Sequence, residues 1–287
     1  MSGKKSKNSL AKRSMQKLAH NKLALFGLFL FVLVVLSSLM APLLTSCDPH
    51  YIDTTLRYLP PSAEHPLGTD QNGRDNFARL LYGGRISILI GVVSSLCANG
   101  LGVLVGCISG YGGRKTDRVL LYITEIFSCV PSTILILVIM AFAGQNIFVM
   151  ILVFAITGWT GTMRMVRSRV LSLKAEPFVE SCRANGVSSL SIMFSHLLPN
   201  TLGVVIINFT TSVATFVLNE AGLSFLGIGA PKGVPTWGNM LNAARSLNVM
   251  QNYPLLWIAP GVAISLLVLG INFFGDGLRD VFDVKQD

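Results

Sequence analysis

The stretch closest to a catalytic motif is the glycine-rich basic run Gly110-Tyr111-Gly112-Gly113-Arg114-Lys115-Thr116. A phosphate-binding loop has the spacing GxxxxGK[ST], and it joins a strand to a helix so that backbone N–H groups and the lysine hold the phosphates. Here Arg114 separates Gly113 from Lys115, and long apolar runs flank the segment. We therefore expect no nucleotide site, no ATP hydrolysis and no enzymatic activity in this chain.

Residues that could ligate a metal or act as nucleophiles are scattered along the sequence. The histidines and cysteines are His20, His50, His65, His196, Cys47, Cys97, Cys107, Cys129 and Cys182. They form no CxxC pair and no cluster with metal-ligand spacing. The sequence therefore predicts no catalytic residue, no metal site and no cofactor, and the cysteines are interpreted as small packing residues.

Composition directs the interpretation to the membrane. Hydrophobic residues make up 51% of the 287 positions and charged residues 13%, whereas about a quarter of a typical soluble domain is charged. A spanning helix needs about 20 mostly apolar residues. Six runs approach that length: 23–45, 86–109, 118–143, 146–163, 200–219 and 254–275. We expect an all-α membrane protein with six transmembrane helices.

The distribution of basic residues predicts the orientation. Residues 1–22 carry seven lysines and arginines, and the following run 23–45 is longer than the apolar core of a signal peptide. We interpret 1–22 as a basic cytoplasmic tail that orients an uncleaved first helix, although lipid headgroups or nucleic acid could also bind it. With both termini on one side, that side holds 17 basic residues against six on the other, which places the termini in the cytoplasm.

Ionisable residues and prolines are rare inside the predicted spans. Glu125 lies about two turns into the third span, either as a gate or ion-pair residue or as a satisfied hydrogen-bond acceptor, and we favour the second interpretation. Pro131 should kink the same span, because proline removes a backbone donor. These two are the candidate pore or gate residues. Glu220, at the outer end of the fifth span, is expected to be solvated.

The second span carries small residues at every fourth position, namely Ser94, Ala98, Gly102, Gly106 and Gly110. This spacing places them on one helical face, where the lack of bulk lets another helix approach closely. Packing within the subunit is the favoured interpretation, and an interface with a partner subunit is the alternative.

The segment from Arg164 to His196 is too polar to be a span, and we expect it to form a large cytoplasmic loop with two short helices. The first should run from about Glu176 to Ala184 and stop at Asn185-Gly186. The second should begin near Ser188 and lead through Leu198-Pro199 into the fifth span. A short helix held across the membrane surface gives a soluble partner an element to grip.

This loop resembles the EAA loop of ABC importer permeases. In that family EAA is followed by three residues, a glycine, nine residues and then I-x-L-P. The chain matches this spacing at Glu180, Gly186, Leu198 and Pro199. It departs at Ser181 and Cys182, which replace the two alanines, and at His196, which replaces the isoleucine. The resemblance implies that the chain is coupled to an ATPase by Glu180, Ser181, Cys182, Gly186, Leu198 and Pro199.

Four further segments resemble the C-type permeases of dipeptide, oligopeptide and nickel importers. They are His65–Asp70 with Gly73–Asp75 (HPLGTDxxGRD), Tyr82–Ser87 (YGGRIS), Leu223–Gly227 followed by Trp237–Asn239 (LSFLG…WGN), and Gly275–Asp280 (GDGLRD). The resemblance extends from Leu23 almost to the C-terminus, where Asp283-Val284-Lys285 departs from the usual DPR.

The resemblance implies a type I ABC importer permease fold in the inner membrane of a bacterium. Residues 23–84 would form the first helix and an extracytoplasmic loop, and residues 85–287 a five-helix core with the coupling loop 164–198. The implied partners are a homologous B-type permease, two ATPase subunits that bind ATP and Mg, an extracytoplasmic binding protein and membrane lipid, but no nucleic acid. Peptide is the favoured cargo and nickel the alternative.

Two other classes of protein are less consistent with the sequence. A secondary transporter would usually carry paired intramembrane charges or interrupted helices in two matching halves. An intramembrane enzyme would need a nucleophile or a metal cluster at membrane depth. The sequence offers none of these features, so both classes are disfavoured.

The predicted topology is testable by cysteine labelling. In a Cys-less variant carrying Ser62→Cys, an impermeant thiol reagent should label position 62 in cells whose inner membrane is intact, because the loop 47–84 is expected outside and the loop 164–198 inside. Labelling of position 62 only after membrane disruption would contradict the orientation.

Overall fold

The computed structural model describes residues 18–283, so most of the predicted basic tail lies outside the described residues. The helices that position the site are α1 (Lys22–Leu39), α2 (Asn76–Tyr111), α3 (Arg114–Cys129), α4 (Ser132–Ala143), α5 (Ile147–Lys174), α6 (Pro177–Ala184), α7 (Leu198–Phe225), α8 (Trp237–Leu241) and α9 (Leu255–Asp283). Shorter helical turns occupy Ala41–Leu44, Thr54–Leu56, Asn242–Arg245 and Leu247–Asn252. No strand is assigned between residues 18 and 283.

Five helices of the described range are long and apolar enough to cross a membrane, namely α1, α2, α5, α9 and a continuous helix Ser189–Phe225 that contains α7. The pair α3–α4 makes a sixth span if it is counted as one bent unit. The prediction of an all-helical membrane protein is therefore confirmed.

The third predicted span, 118–143, is not one continuous helix. α3 ends at Cys129 and α4 begins at Ser132, and the two helices are bent by 77° relative to each other. Pro131 lies in the break with a φ of −54°. Proline fixes φ in this range and has no N–H to donate, so the predicted kink is confirmed and is large enough to divide the span.

α2 and α5 extend well beyond the apolar runs that predicted them. α2 begins at Asn76, within the predicted extracytoplasmic loop, and α5 continues to Lys174, so residues 164–174 are helical and do not belong to a loop. Arg167 can lie on the helix because its Nε and Nη2 donate to the two carboxylate oxygens of Asp117 at the start of α3, at 2.6 and 2.7 Å. A polar sequence was misread as a loop because the partner of its arginine is distant in the chain.

The second short helix of the loop merges with the fifth span. A π-helical turn, Ile192–Leu197, carries the backbone from Ser189 into α7 without interruption. Pro199 lies in the first turn of α7 and lacks an N–H, and the side chain of Asn200 donates to the carbonyl of His196 at 2.6 Å. Such wide turns accommodate a missing helical hydrogen bond.

The small-residue face of α2 packs against α5. A Cβ placed on Gly102 would lie 2.5 Å from the Cβ of Thr162, and one on Gly106 would lie 2.8 Å from the carbonyl oxygen of Met163. On Gly110 it would lie 2.9 Å from the Cβ of Val170. This close contact between α2 and α5, here called the seam, starts at Ala98, which is 1% exposed. This places the face within the subunit, so it is not free for a partner chain.

The first and last helices cross at a second glycine contact. Gly27 of α1 and Gly270 of α9 each lie so close to the other helix that an added Cβ would meet its backbone at 2.8 Å. The C-terminal carbonyls of α1 are satisfied by Arg85 of α2, whose Nε donates to Ser38 at 2.7 Å and whose Nη2 donates to Leu39. α1 is thereby attached to both α9 and α2.

The seam predicts a contrast between two glycines of α2. Gly106→Leu should disrupt the α2–α5 packing, because overpacking a tight interface costs about 1–3 kcal/mol or more. Gly100→Leu adds the same side chain where a Cβ meets nothing within 4 Å. Size-exclusion yield and thermal stability in detergent should fall for the first variant and stay near wild type for the second. Equal yield and thermal stability of the two variants would contradict the close packing of α2 against α5.

Candidate functional site

The short helix α6 is stopped by a glycine in the left-handed conformation. Gly186 has a φ of +73°. Its N–H donates to the carbonyl of Arg183 at 3.0 Å, and the N–H of Val187 donates to that of Cys182 at 3.1 Å. This pair of bonds is the Schellman motif, which closes a helix and turns the chain away. The helix stop expected at Asn185-Gly186 is present.

One face of α6 is anchored to the ends of α2 and α5. Val179 is fully buried in an apolar cluster that includes Cys107 of α2 and Val170 of α5. Lys174 donates from Nζ to the carbonyl of Tyr111 at 3.0 Å, which satisfies one of the last carbonyls of α2. The guanidinium of Arg183 also stacks over the Tyr111 ring at 5.4 Å. The loop is therefore held rigidly against the two helices that form the seam.

The opposite face of the loop is exposed. Glu180 and Ser181 point to the surface, and Glu180 has no hydrogen-bond or ion-pair partner among residues 18–283. The same loop also carries exposed apolar side chains, with Leu190 67% and Phe194 48% accessible. An unpaired carboxylate and exposed apolar side chains on one loop form a surface suited to another protein.

The remaining members of the predicted coupling set differ in position. Cys182 is half-buried against the apolar cluster that holds Val179, and Leu198 packs against the same cluster. Pro199 is exposed in the first turn of α7. The set thus divides into an exposed pair, Glu180 and Ser181, and residues that shape the path from α6 into α7.

A polar contact joins three helices inside the bundle. Thr162 of α5 donates to Oδ1 of Asn99 of α2 at 2.9 Å. Asn208 of α7 donates to the same oxygen at 2.9 Å and to the hydroxyl oxygen of Thr162 at 2.6 Å. Side-chain hydrogen bonds of this kind hold helices together where no water competes. This contact was not predicted from the sequence, where its signal is a pair of asparagines inside apolar runs.

Glu220 is fully buried, so the expectation that it is solvated is wrong. Its two carboxylate oxygens accept from the hydroxyls of Ser87, at 2.9 Å, and Ser224, at 2.8 Å. Those hydroxyls accept in turn from the backbone N–H groups of Trp237, at 3.1 Å, and Ala230, at 3.0 Å. The carboxylate is therefore the centre of a hub that ties α2 and α7 to the segment 226–241.

The hub explains the LSFLG…WGN resemblance. An added Cβ on Gly238 would lie 3.0 Å from Oε1 of Glu220, so a glycine is required where α8 passes the carboxylate. The indole N–H of Trp237 donates to the carbonyl of Leu80 at 2.9 Å. Nδ2 of Asn239 donates to the carbonyls of Pro231, at 2.9 Å, and Val234, at 3.0 Å. These residues are structural: they fold segment 226–241 onto the end of the bundle.

The polar side chains of the HPLGTDxxGRD segment likewise form hydrogen bonds and ion pairs with one another and with the start of α2. Asp70 accepts from Nε of Arg74 at 2.8 Å and lies 3.7 Å from Nε of Arg79, which is 3% exposed. Asp75 caps α2 by accepting from the N–H of Ala78 at 2.5 Å, and its other oxygen lies 2.8 Å from Nδ1 of His65. The segment therefore sets the start of α2.

The loop also brings together three potential metal ligands that are distant in sequence. Ligand atoms of Cys47, His65 and Asp75 lie within 4.8 Å of one another. Both oxygens of Asp75 already have partners, the cap of α2 and the His65 ring. The His65–Asp75 contact therefore anchors the loop to the start of α2, and the Cys47 thiol lies beside it.

The same loop packs against the segment that follows α8. The ring of Tyr58 stacks on Tyr253 with centroids 4.4 Å apart. Burial raises the pKa of the Tyr58 hydroxyl, so it stays neutral at physiological pH. The stacked pair closes the two segments onto each other at one end of the bundle.

Glu125 does not fit the interpretation favoured from the sequence. It is exposed on α3 and accepts no hydrogen bond from the described part of the chain. The surface around it is apolar and accessible, with Tyr122 60% and Ile126 69% exposed. A carboxylate at membrane depth faces a partner or a water-filled cavity, and neither is supplied for Glu125 by the described residues. Pro131 lies at the adjoining helix break.

The helices, the seam and the anchored loop define a polytopic membrane transport component. The chain belongs to the family of binding-protein-dependent transport system inner membrane components, whose family model matches residues 102–286. A second model, the N-terminal TM domain of oligopeptide transport permease C, matches residues 9–61. The protein is accordingly an inner-membrane permease component.

Similar proteins cover nearly the whole chain. A putative peptide permease protein of Brucella suis is 40% identical over 275 residues, which are 96% of this chain and 91% of the relative. The oligopeptide transport system permease protein OppC of Bacillus subtilis is 37% identical over 277 residues, 96% and 90%. A dipeptide transport system permease protein of Alkalihalophilus pseudofirmus is 38% identical over 275 residues, 96% and 90%.

The hub predicts that Glu220 is needed for stability. Glu220→Leu should leave the hydroxyls of Ser87 and Ser224 without an acceptor, at a cost of about 1–3 kcal/mol for each buried group. Glu220→Gln keeps one acceptor oxygen and should have an intermediate effect. Thermal unfolding in detergent measures both.

The matched control is Glu64→Leu, which makes the same change at an exposed position. It should leave the unfolding temperature near that of wild type. If Glu220→Leu were as stable as Glu64→Leu, the hub would have no structural importance.

Proposed function

We propose that the chain is the C-type permease subunit of an ATP-driven importer of di- or oligopeptides. The relatives described above are named as peptide, oligopeptide and dipeptide permeases and align over 96% of this chain. In this role the chain forms half of a translocation pore. It performs no catalysis, and ATP and Mg bind to separate ATPase subunits.

The observation that carries the proposal is the two-sided loop around α6. Its inner face is fixed by Val179, Lys174 and Arg183. Glu180 and Ser181 are exposed on the other face, and the carboxylate of Glu180 has no partner among residues 18–283. An element that is rigidly attached on one side and exposed on the other can transmit a displacement. ATP-driven closure of the ATPases would move α6 and, through α2, α5 and α7, turn the pore outward.

The exposed surface of α3 and α4 supports a heterodimer with a homologous B-type permease. Apolar side chains cover this surface, including Ile126 at 69% and Phe142 at 89% exposure. A partner helix would cover them and supply the donor that Glu125 lacks. Lipid would surround the assembled pair.

The opposite end of the bundle supports docking of an extracytoplasmic binding protein. There the loop 45–75 and the segment 226–254 form a folded surface held by the Asp70–Arg74 ion pair and the Glu220 hub. That protein would select the cargo, so the permease alone does not distinguish peptide from nickel. Nickel is therefore the alternative substrate within the resembled family. A secondary transporter, the alternative from another class, would need neither the binding protein nor an ATPase.

Affinity purification of the tagged chain from its native membrane tests the assembly. Two ATPase subunits, a second permease and a binding protein should co-purify, and mass spectrometry of the ligand in the binding protein should detect peptide. Recovery of a nickel-loaded binding protein would favour the alternative substrate. A chain that purifies alone from gently solubilised membranes would contradict the proposal.

A β-branched substitution at Gly186 should cause a specific defect in coupling between ATP hydrolysis and transport. A Cβ on this residue meets nothing within 4 Å, so only the φ of +73° restricts substitution. β-Branched residues avoid this region, whereas asparagine enters it more readily. Gly186→Val should abolish peptide transport and the stimulation of ATP hydrolysis by loaded binding protein, and Gly186→Asn should retain most of both.

Gly113→Val provides the control, since Gly113 is an equally open loop glycine with a φ of −76°. It should transport normally. The complex carrying Gly186→Val should still assemble and its binding protein should bind ligand with normal affinity. Full stimulated ATPase activity in that complex would show that α6 is not the coupling element.

A further inference from the structure

One face of α7 carries a line of uncharged polar side chains, Asn208, Thr211, Thr215 and Asn219, here called the polar stripe. Their spacing of three and four residues places them on one side of the helix. Thr211 and Thr215 are exposed, and the two asparagines are half-buried. Polar groups at membrane depth normally face protein or water instead of lipid, so this side of α7 does not face the bilayer.

The polar stripe forms one wall of a groove. Ser132 at the start of α4 and Thr157 of α5 line the other wall, and the space between them is about 220 Å³. None of the residues that line the groove is charged. Asn219 also borders a second, largely apolar space of about 320 Å³ next to Leu223 and Phe225. The two spaces make a continuous neutral surface along α7.

The threonine hydroxyls of the groove offer mainly hydrogen-bond acceptors, because their hydrogens are already donated to helix carbonyls. Thr215 donates to the carbonyl of Thr211 at 2.9 Å, and Thr211 donates to that of Ile207 at 3.2 Å. Thr157 likewise donates to the carbonyl of Val153 at 2.8 Å. A hydroxyl has one hydrogen and two lone pairs, so these threonines present acceptor oxygens to the groove.

Asn219 adds both donor and acceptor capacity. Its amide has no hydrogen-bond partner among residues 18–283. Residues four apart on a helix are about 6 Å apart along its axis. The N–H groups on one side of an extended peptide repeat at roughly 6.6–6.8 Å. The acceptors of the polar stripe therefore approximate the repeat of an extended peptide main chain.

We propose that the polar stripe is the part of the pore that contacts the main chain of the translocated peptide. This inference rests on the proposed function and specifies its substrate contact. Neutral groups exchange hydrogen bonds with passing N–H and C=O groups, and they do not hold charged side chains of the cargo. The site therefore accepts peptides irrespective of their side chains and would be poorly suited to a bare divalent cation.

The first test removes the hydroxyls and the amide while keeping size. In the complete transporter, Thr211→Val, Thr215→Val and Asn219→Leu combined should lower uptake by about tenfold, since three hydrogen-bonding groups are lost. The decrease should be equal for acidic, basic and apolar peptides. Complex yield and peptide affinity of the binding protein should not change.

Thr210→Val is the matched control. It removes a hydroxyl from the neighbouring position, which faces Gly275 of α9 and lies outside the groove. Uptake by this variant should be normal. If wild type transports and the triple variant stays within about twofold of it, or fails for one class of side chain only, the polar stripe is not a main-chain site. If wild type itself shows no ATP-dependent peptide uptake, the proposed function fails first.

The second test does not depend on the folding of a variant. A photoactivatable peptide supplied to the wild-type complex during turnover should crosslink to Thr211, Thr215 or Asn219 when mapped by mass spectrometry. Ile206, which is 41% exposed on the opposite side of α7, should not be modified. Crosslinks confined to other helices would overturn the proposal.

Discussion

A polar side chain at membrane depth is expensive unless it finds a partner in the protein or faces water. Two clusters of the structure satisfy this requirement and thereby determine how the helices meet. The Asn99–Thr162–Asn208 contact joins α2, α5 and α7, and the Glu220 hub joins α2 and α7 to segment 226–241. Apart from the bond from Lys174 to the end of α2, most of the other contacts between these helices are apolar or involve glycine. The two clusters therefore supply the direction and register of the packing.

The glycine seam gives the bundle its stiffness between the two ends. α2 and α5 approach closely from Gly102 to Gly110, and the loop around α6 is attached where this seam ends, through Tyr111 and Lys174. A displacement of α6 would therefore move α2 and α5 together. Asn208, which joins α7 to α2 and α5, is also the first residue of the polar stripe. The same displacement would therefore reach the surface proposed to contact the peptide.

Much of this arrangement was accessible from the sequence because its signals are local. The spacing of small residues identified the seam, proline identified the break between α3 and α4, and glycine identified the end of α6. The wrong predictions concern residues whose partners are distant in the chain. Glu220 was expected to be solvated because its donor Ser87 is distant in the chain, as is the Trp237 backbone N–H that donates to the Ser87 hydroxyl. α5 was predicted too short because Asp117 neutralises Arg167 across helices.

The central claim is ATP-driven peptide import by a complex containing this chain. Its most direct measurement is uptake into proteoliposomes that hold the purified complex, with loaded binding protein outside the membrane and ATPase subunits accessible to added ATP. The account predicts that labelled peptide accumulates only when ATP, Mg and the binding protein are all present, and that labelled nickel does not accumulate. Accumulation of nickel, or peptide uptake driven by an ion gradient without ATP, would contradict it.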